Sequence, residues 1–251
     1  AMQAYLQAFP AWLHMRQLTE FIQGRQVMAP GECPLGGWFL VRKLSDPTTS
    51  TVSPNVDTLY GASYLLLDKQ GPVVLTVPPI PDRYYSVALH DAYFNLFAVV
   101  SPRRFGNQGG CYLIVPPDWR GQPPAGIDAV FVSPTPSVCL LQRIFTRDES
   151  EFAALHTLQD AIRLIPLARW GADDESFPMV DLAEYAVQDM RSTRDPLRYF
   201  ELMNFYTGEN PPPADETALA ELFKTAGVGP GSQLPDDPDL RAAICQGAAD
   251  A

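Results

Sequence analysis

Residues 58–89, TLYGASYLLLDKQGPVVLTVPPIPDRYYSVAL, decide the fold. The runs Thr58 to Leu67, Val73 to Val77 and Tyr84 to Leu89 are rich in Val, Leu and Tyr, and they are cut by Gly71-Pro72 and by Pro79-Ile80-Pro81-Asp82. Side chains of that kind pack well on a pleated surface, while Gly and Pro interrupt it, so the stretch reads as consecutive antiparallel strands. Toward the C terminus, Leu96 to Val100, Cys111 to Val115, Ala129 to Val132 and Val138 to Phe145 repeat the pattern, with Gly106 to Gly110 as a turn. About seven short strands at this spacing predict a sandwich, jelly roll or barrel. The 25 prolines collect at segment edges such as Val77-Pro78-Pro79 and Val115-Pro116-Pro117, which disfavours an all-α fold.

Helical periodicity flanks this core. Leu6, Phe9 and Leu13, then Leu18, Phe21 and Ile22, recur at helical spacing around Pro10, which predicts a kinked or two-part amphipathic helix. Downstream, Phe152, Leu155, Leu158, Gln159, Ile162 and Ile165 line one face behind the acidic opening Asp148 to Glu151, predicting a helix of about five turns that runs to Pro166. Further helices are expected over Leu197 to Tyr206 and Asp215 to Ala226, the second ended by Gly227. Trp38 to Val41 fits a short strand or a helical turn, and the final twenty residues carry too little hydrophobicity to assign. The expected fold class is therefore α+β, mainly β: an antiparallel β-sandwich or jelly-roll-like core with N-terminal and C-terminal helices.

Composition excludes several functions. With 46% hydrophobic and 19% charged residues, the 251-residue chain can bury a large core without metals or disulfides. A net charge of −11 disfavours nucleic acid and anionic membrane as partners, since both require Lys and Arg to neutralise phosphates. Cys33, Cys111, Cys139 and Cys245 lie far apart with no C-x-x-C, so neither a zinc cluster nor a redox dithiol is expected, and buried free thiols are the reading. No apolar run reaches the roughly 20 residues that cross a bilayer, and the N terminus lacks a basic signal-peptide region, so a soluble chain is expected, cytoplasmic or exported with a trimmed leader.

Three motifs in order, Pro54-Asn55-Val56-Asp57-Thr58-Leu59-Tyr60, Gly71-Pro72-Val73-Val74-Leu75 and Arg83-Tyr84-Tyr85-Ser86, resemble the core pattern of the "domain of unknown function 1254" family. Ala4 to Pro10, Asp91-Ala92-Tyr93, Tyr112 to Val115 and Arg143 extend the resemblance over roughly residues 4 to 165. It implies a sandwich domain over 1–170 carrying the N-terminal helix, followed by a helical connector over 171–251. In longer relatives that connector leads into a second β domain, called 1214. The resemblance implies no settled reaction.

Chemistry-bearing residues fall near the strand ends. Asn55 and Asp57, with Tyr60 just inside the next strand, fit either a site at the mouth of the sandwich or an Asx turn. Arg83 and Tyr85 share one face by alternation, while Tyr84, Ser86 and His90 share the other. A guanidinium beside a phenol suits a carboxylate or phosphate; the structural alternative is an ion pair of Arg83 with Asp57 or Asp91. His90 could act as a base oriented by a carboxylate, but its neighbour Asp91 points the other way along a strand and does not readily serve, so a hydrogen-bonded histidine is the expected reading. His14, His90 and His156 show no metal-binding spacing, and neither nucleophile elbows nor nucleotide-binding loops occur, so no metal and no cofactor are expected.

The resulting expectation is a domain that binds or acts on a small polar or anionic ligand through Asn55, Asp57, Tyr60, Arg83, Tyr85, Asp91 and Arg143. One alternative is a non-catalytic glycan- or protein-interaction module that uses Tyr93, Phe94 and Trp119. Another is half of a two-domain protein whose site is completed by a partner β domain or by a second copy.

Overall fold

The computed structural model describes residues 1–23, 33–49, 55–182 and 195–251, so Pro54 and the start of the Pro/Gly loop at Ala29 lie outside the described residues. The chain divides into two compact units: 1–20, 92–95 and 181–251 form one, and 21–91 with 96–180 form the other.

Among the described residues the second unit holds nine strands: β1 Phe39–Leu40, β2 Thr58–Leu66, β3 Val73–Val77, β4 Tyr85–His90, β5 Leu96–Val100, β6 Gly110–Val115, β7 Ala129–Val132, β8 Ser137–Phe145 and β9 Arg163–Pro166. They build a five-stranded sheet, β1-β2-β8-β4-β5, and a four-stranded sheet, β7-β6-β3-β9. All pairs are antiparallel except β6 with β7. The Pro- and Gly-rich segment between those two strands supplies the long connection that a parallel pair requires. Short helices α2 Leu67–Gln70 and α3 Pro102–Phe105, with α4 Phe152–Ala161, complete this unit.

The strands of the 58–89 stretch are not neighbours. β2 and β4 both pair with β8, while β3 leaves for the other sheet and pairs with β6 and β9. β2, β8 and β4 turn Leu59, Leu65, Leu140, Ile144, Val87 and Leu89 inward, against Val73, Leu75, Tyr112, Ile114 and Leu164 of the second sheet. This two-sheet core is the sandwich expected from the sequence.

The helical expectations differ in detail. α4 stops at Ala161, well short of five turns, because Arg163 to Pro166 hydrogen-bonds to β3 as a strand. Leu164 and Ile165 satisfy either periodicity, and pairing with β3 wins. A single helix, α1 Met2–Ile22, continues through Pro10. Its buried Ala4, Ala11, Met15 and Leu18 hold it on both sides of the lost hydrogen bond.

Among the described residues the remaining α-helices are α5 Pro196–Glu209, α6 Thr217–Lys224 and α7 Pro238–Ala249. Asp195 caps α5 by accepting from Leu197 N–H, and Asp237 caps α7 by accepting from Asp239 and Leu240 N–H. Tyr5 stacks on Tyr199 at 4.3 Å between ring centroids, and the Tyr206 hydroxyl lies 2.7 Å from His14 Nδ1, tying α1 to α5. His14 is thus a fully buried, hydrogen-bonded core histidine.

Candidate functional site

The outer face of the five-stranded sheet carries a polar row. Register places Tyr60 of β2 opposite Arg143 of β8, and Arg143 opposite Ser86 of β4. Val87 opposes Val100 in β5, so Ser101, the next residue, stands level with Ser86. Directly opposed side chains on one face of a sheet lie about 5 Å apart at Cβ, so four polar side chains cross the sheet at one height. The Arg143 guanidinium sits 4.8 Å from the centre of the Tyr60 ring, a cation–π contact, and Asn55 Nδ2 donates to the Tyr60 hydroxyl at 3.4 Å.

At the β4–β5 end the row opens into a groove of about 600 Å³ lined by Arg83, Tyr84, Ser86, Ser101, Arg103 and Asn107, with Val99 and Pro102 as its apolar wall. Two guanidinium groups and no carboxylate line it, in a chain of net charge −11. The Tyr84 hydroxyl donates to Ser86 Oγ at 3.1 Å, which leaves the Ser86 proton for another acceptor. Asn107 Nδ2 is held by the Ile80 carbonyl at 2.7 Å. Arg103 stands exposed on α3, and among the described residues it makes no ion pair. A groove of this size and lining admits a small organic anion.

The structure distributes the seven sequence candidates unevenly. Arg83 lies in the groove, Arg143 and Tyr60 form the row beside it, and Asn55 buttresses Tyr60. Asn55 Oδ1 also accepts from the N–H groups of Asp57 and Thr58 and from the Thr58 hydroxyl, so it builds the Asx turn that starts β2. Asp57 is exposed in that turn.

Tyr85 faces the opposite way. It is 0% exposed in the sandwich core, its hydroxyl donates to the Gly106 carbonyl at 3.1 Å, and burial pushes the phenol above its ordinary pKa of 10.0. Asp91 is 1% exposed, beyond the far end of β4 from Arg83. Alternation does not extend back to Arg83, which lies in a bend before β4 begins at Tyr85. Arg83 pairs with neither Asp57 nor Asp91: its guanidinium donates to the Phe145 carbonyl at 3.1 Å and to both Glu151 oxygens at 3.1 and 3.4 Å.

Glu151 consequently titrates low. The Arg147 N–H is the largest cause, followed by the Arg83 and Arg147 guanidiniums, and together they take its carboxyl from 4.5 to about 2. A carboxylate held low in the folded state stabilises fully above its unfolded pKa and loses that contribution as pH falls through the folded one. Glu151→Gln is therefore expected to flatten the fall of stability between pH 4.5 and about 2 relative to the parent, as read by chemical denaturation at stepped pH. Parallel profiles for parent and variant refute this assignment.

His90 lies further along the same outer face, opposite Cys139. Burial is the main cause of its lowered pKa, and the positive charge of Arg143 adds to it. Burial pushes the Cys33 and Cys139 thiols up to about 11 and about 12, so these free cysteines are inert as nucleophiles. Among the described residues no group of three or more His, Cys, Asp or Glu side chains could hold a metal ion, and no helix is long and apolar enough to cross a membrane.

The three aromatics of the interaction alternative each make contacts within the chain. Tyr93 is buried and donates to the Asn210 carbonyl, Phe94 packs on His14, and Trp119 packs on the cluster of Val74, Leu113 and Val115.

Sequence reasoning missed Arg103, Ser101 and Asn107. The available signal was Ser101-Pro102-Arg103-Arg104, a helix-start dipeptide with two cations at a strand end in an acidic chain.

Fold and groove together define an α+β sandwich protein with a cationic cleft at one end of its larger sheet. The chain belongs to the family described as "Protein of unknown function (DUF1254)", whose model matches residues 39–166. Among solved structures it resembles the VPA0106 protein from Vibrio parahaemolyticus, with 20% identity and a TM-score of 0.69 over 99% of this chain. At that identity the likeness shows the fold alone. This chain spans 57% of the length of the Vibrio protein. A comparison with curated proteins gives no match.

Proposed function

We propose that the groove between β4, β5 and α3 binds a small organic anion, a carboxylate or phosphate. The observation that carries this reading is Arg103: a guanidinium in a cleft without a carboxylate in its lining, beside Ser86 and Ser101 hydroxyls that can donate to the same oxyanion. Arg83 is half-committed to Glu151 and Phe145, so it shapes the cleft and adds field, while Arg103 makes the principal contact. Tyr84 and the Val99–Pro102 wall cover the apolar body of the ligand.

The test is thermal stability of the parent and Arg103→Ala against phosphate, citrate, succinate and aryl phosphates, with chloride matching ionic strength. A ligand of the native state adds RT ln(1 + [L]/Kd), so a stabilising anion raises the parent's midpoint. Arg103→Ala is expected to unfold at the parent's temperature without ligand and to need at least about tenfold more anion for the same shift, the loss of one charge-assisted hydrogen bond. If no anion stabilises the parent beyond chloride, or Arg103→Ala responds as the parent does, the reading fails.

A further inference from the structure

We infer that the ligand of the groove carries its anionic group on an aromatic ring, as an aryl phosphate or an aromatic carboxylate, an inference that rests on the anion reading of the site. The observation behind it is Tyr84. Its side chain is 53% exposed, its hydroxyl is engaged by Ser86 Oγ at 3.1 Å, and it lines the groove together with Arg103. An aromatic ring left open to water inside a cleft, beside a cation, is a surface that a ligand can cover.

The attitude of that ring follows from the strand. The Tyr84 carbonyl accepts from Phe145 N–H at 3.0 Å, so Tyr84 continues the pairing of β4 with β8 and points to the same outer face as Ser86. Two strand residues span about 6.6 Å, close to the reach of a tyrosine from Cβ to hydroxyl. A ring that bonds to Ser86 therefore lies along the strand and does not stand off it. Held by the backbone at one end and by Ser86 at the other, it has little rotamer freedom left to lose when a ligand stacks on it.

The other linings fit a flat partner with one charged end. Arg104 turns onto the Phe105 and Phe131 rings, with its guanidinium carbon 5.2 and 5.7 Å from their centres, so Arg103 is the member of the pair that lines the groove. Ser86 and Ser101 stand level across β4 and β5, and Tyr84 lies two residues from Ser86 toward α3. An oxyanion on these hydroxyls and Arg103 brings a ring bonded directly to it over Tyr84, with Val99 and Pro102 beside it. In a groove of about 600 Å³ a bare phosphate leaves the Tyr84 ring uncovered. Pairing two aromatic rings is worth roughly two- to tenfold in affinity beyond the area covered, a gain that a saturated body of equal size does not share.

Calorimetric titration at pH 8, above the second phosphate pKa of about 6, with phenyl phosphate, cyclohexyl phosphate and inorganic phosphate separates the cases. The two esters carry the same charge on carbon rings of similar size, and only one ring is aromatic. The parent is expected to bind phenyl phosphate about fivefold tighter than cyclohexyl phosphate. Tyr84→Leu, which keeps an apolar side chain, is expected to remove that preference, and Tyr84→Phe, which keeps the ring, is expected to retain it. Arg103→Ala is expected to weaken all three ligands and to leave the order of the two esters as it is. Equal affinity for the esters in the parent, a preference that survives Tyr84→Leu, or one that is lost in Tyr84→Phe overturns the aromatic inference, while inorganic phosphate held through Arg103 keeps the anion site. If the parent binds none of the three, and no carboxylate stabilises it, both readings fall together.

Discussion

Tyr85→Ala is expected to lower the stability of the sheet-bearing unit by about 4 kcal/mol, measured by urea unfolding. Tyr85 is among the largest fully buried side chains, packed on the inner face of β4. Truncation removes the ring's contacts and leaves a cavity that two packed sheets cannot collapse to fill. It also strips the Gly106 carbonyl of its donor, at the start of the turn where Gly106 and Gly109 hold φ values of 73° and 76°. Tyr85→Phe isolates that last part and is expected to cost about 1 kcal/mol while leaving the response to anions intact. A Tyr85→Ala variant within 1 kcal/mol of the parent, or a Tyr85→Phe variant that loses anion binding, refutes the assignment of Tyr85 to the core.

The second large effect runs the other way. Gln142 stands on the inner face of β8, 0% exposed, and among the described residues neither its Oε1 nor its Nε2 has a hydrogen-bond partner. Gly61, its neighbour across the strand, leaves the space for this side chain: a Cβ built there would come within 2.6 Å of Gln142 Cγ. A buried amide without partners costs about 1–3 kcal/mol. Methionine has the same unbranched stem and nearly the same volume without the polar atoms. Gln142→Met is therefore expected to raise the unfolding free energy by about 2 kcal/mol and the melting temperature by several degrees. A fall in either shows that the amide is satisfied in solution and contributes to the fold.

Much of the architecture was legible because it depends on short-range alternation. The nine residues of β2 and of β8 read as strands from their own side chains, and the Asn55 turn from one residue type before a strand. Sheet membership was not legible. The spacing between β2, β3 and β4 suits a meander as well as a chain that crosses between sheets, and only the pairing with β8 decides. The β9 segment obeyed a helical period until β3 supplied hydrogen-bond partners. Helix α7 has one buried residue, Ile244, so no apolar stripe announced it, and its signal was the Asp237-Pro238 cap and first turn.

The candidate site divided along the same line. Register joins Tyr60, Arg143 and Ser86 from three distant parts of the chain, which single-strand alternation cannot reveal. Tyr85 and Asp91 attracted notice for their chemistry and went to the interior.

The interleaving of the two units sets an order of events during synthesis. Tyr5 and His14 meet Tyr199 and Tyr206, partners some 190 positions later in the chain, with separations of 194 and 192 residues. At the usual pace of about 5–20 residues per second, the first helix leaves the ribosome roughly ten to forty seconds before its companions exist. The sandwich can close meanwhile, since the segments that build it are all made by then. Helix α1 spends that interval without the aromatic partners that cover its apolar side in the folded chain.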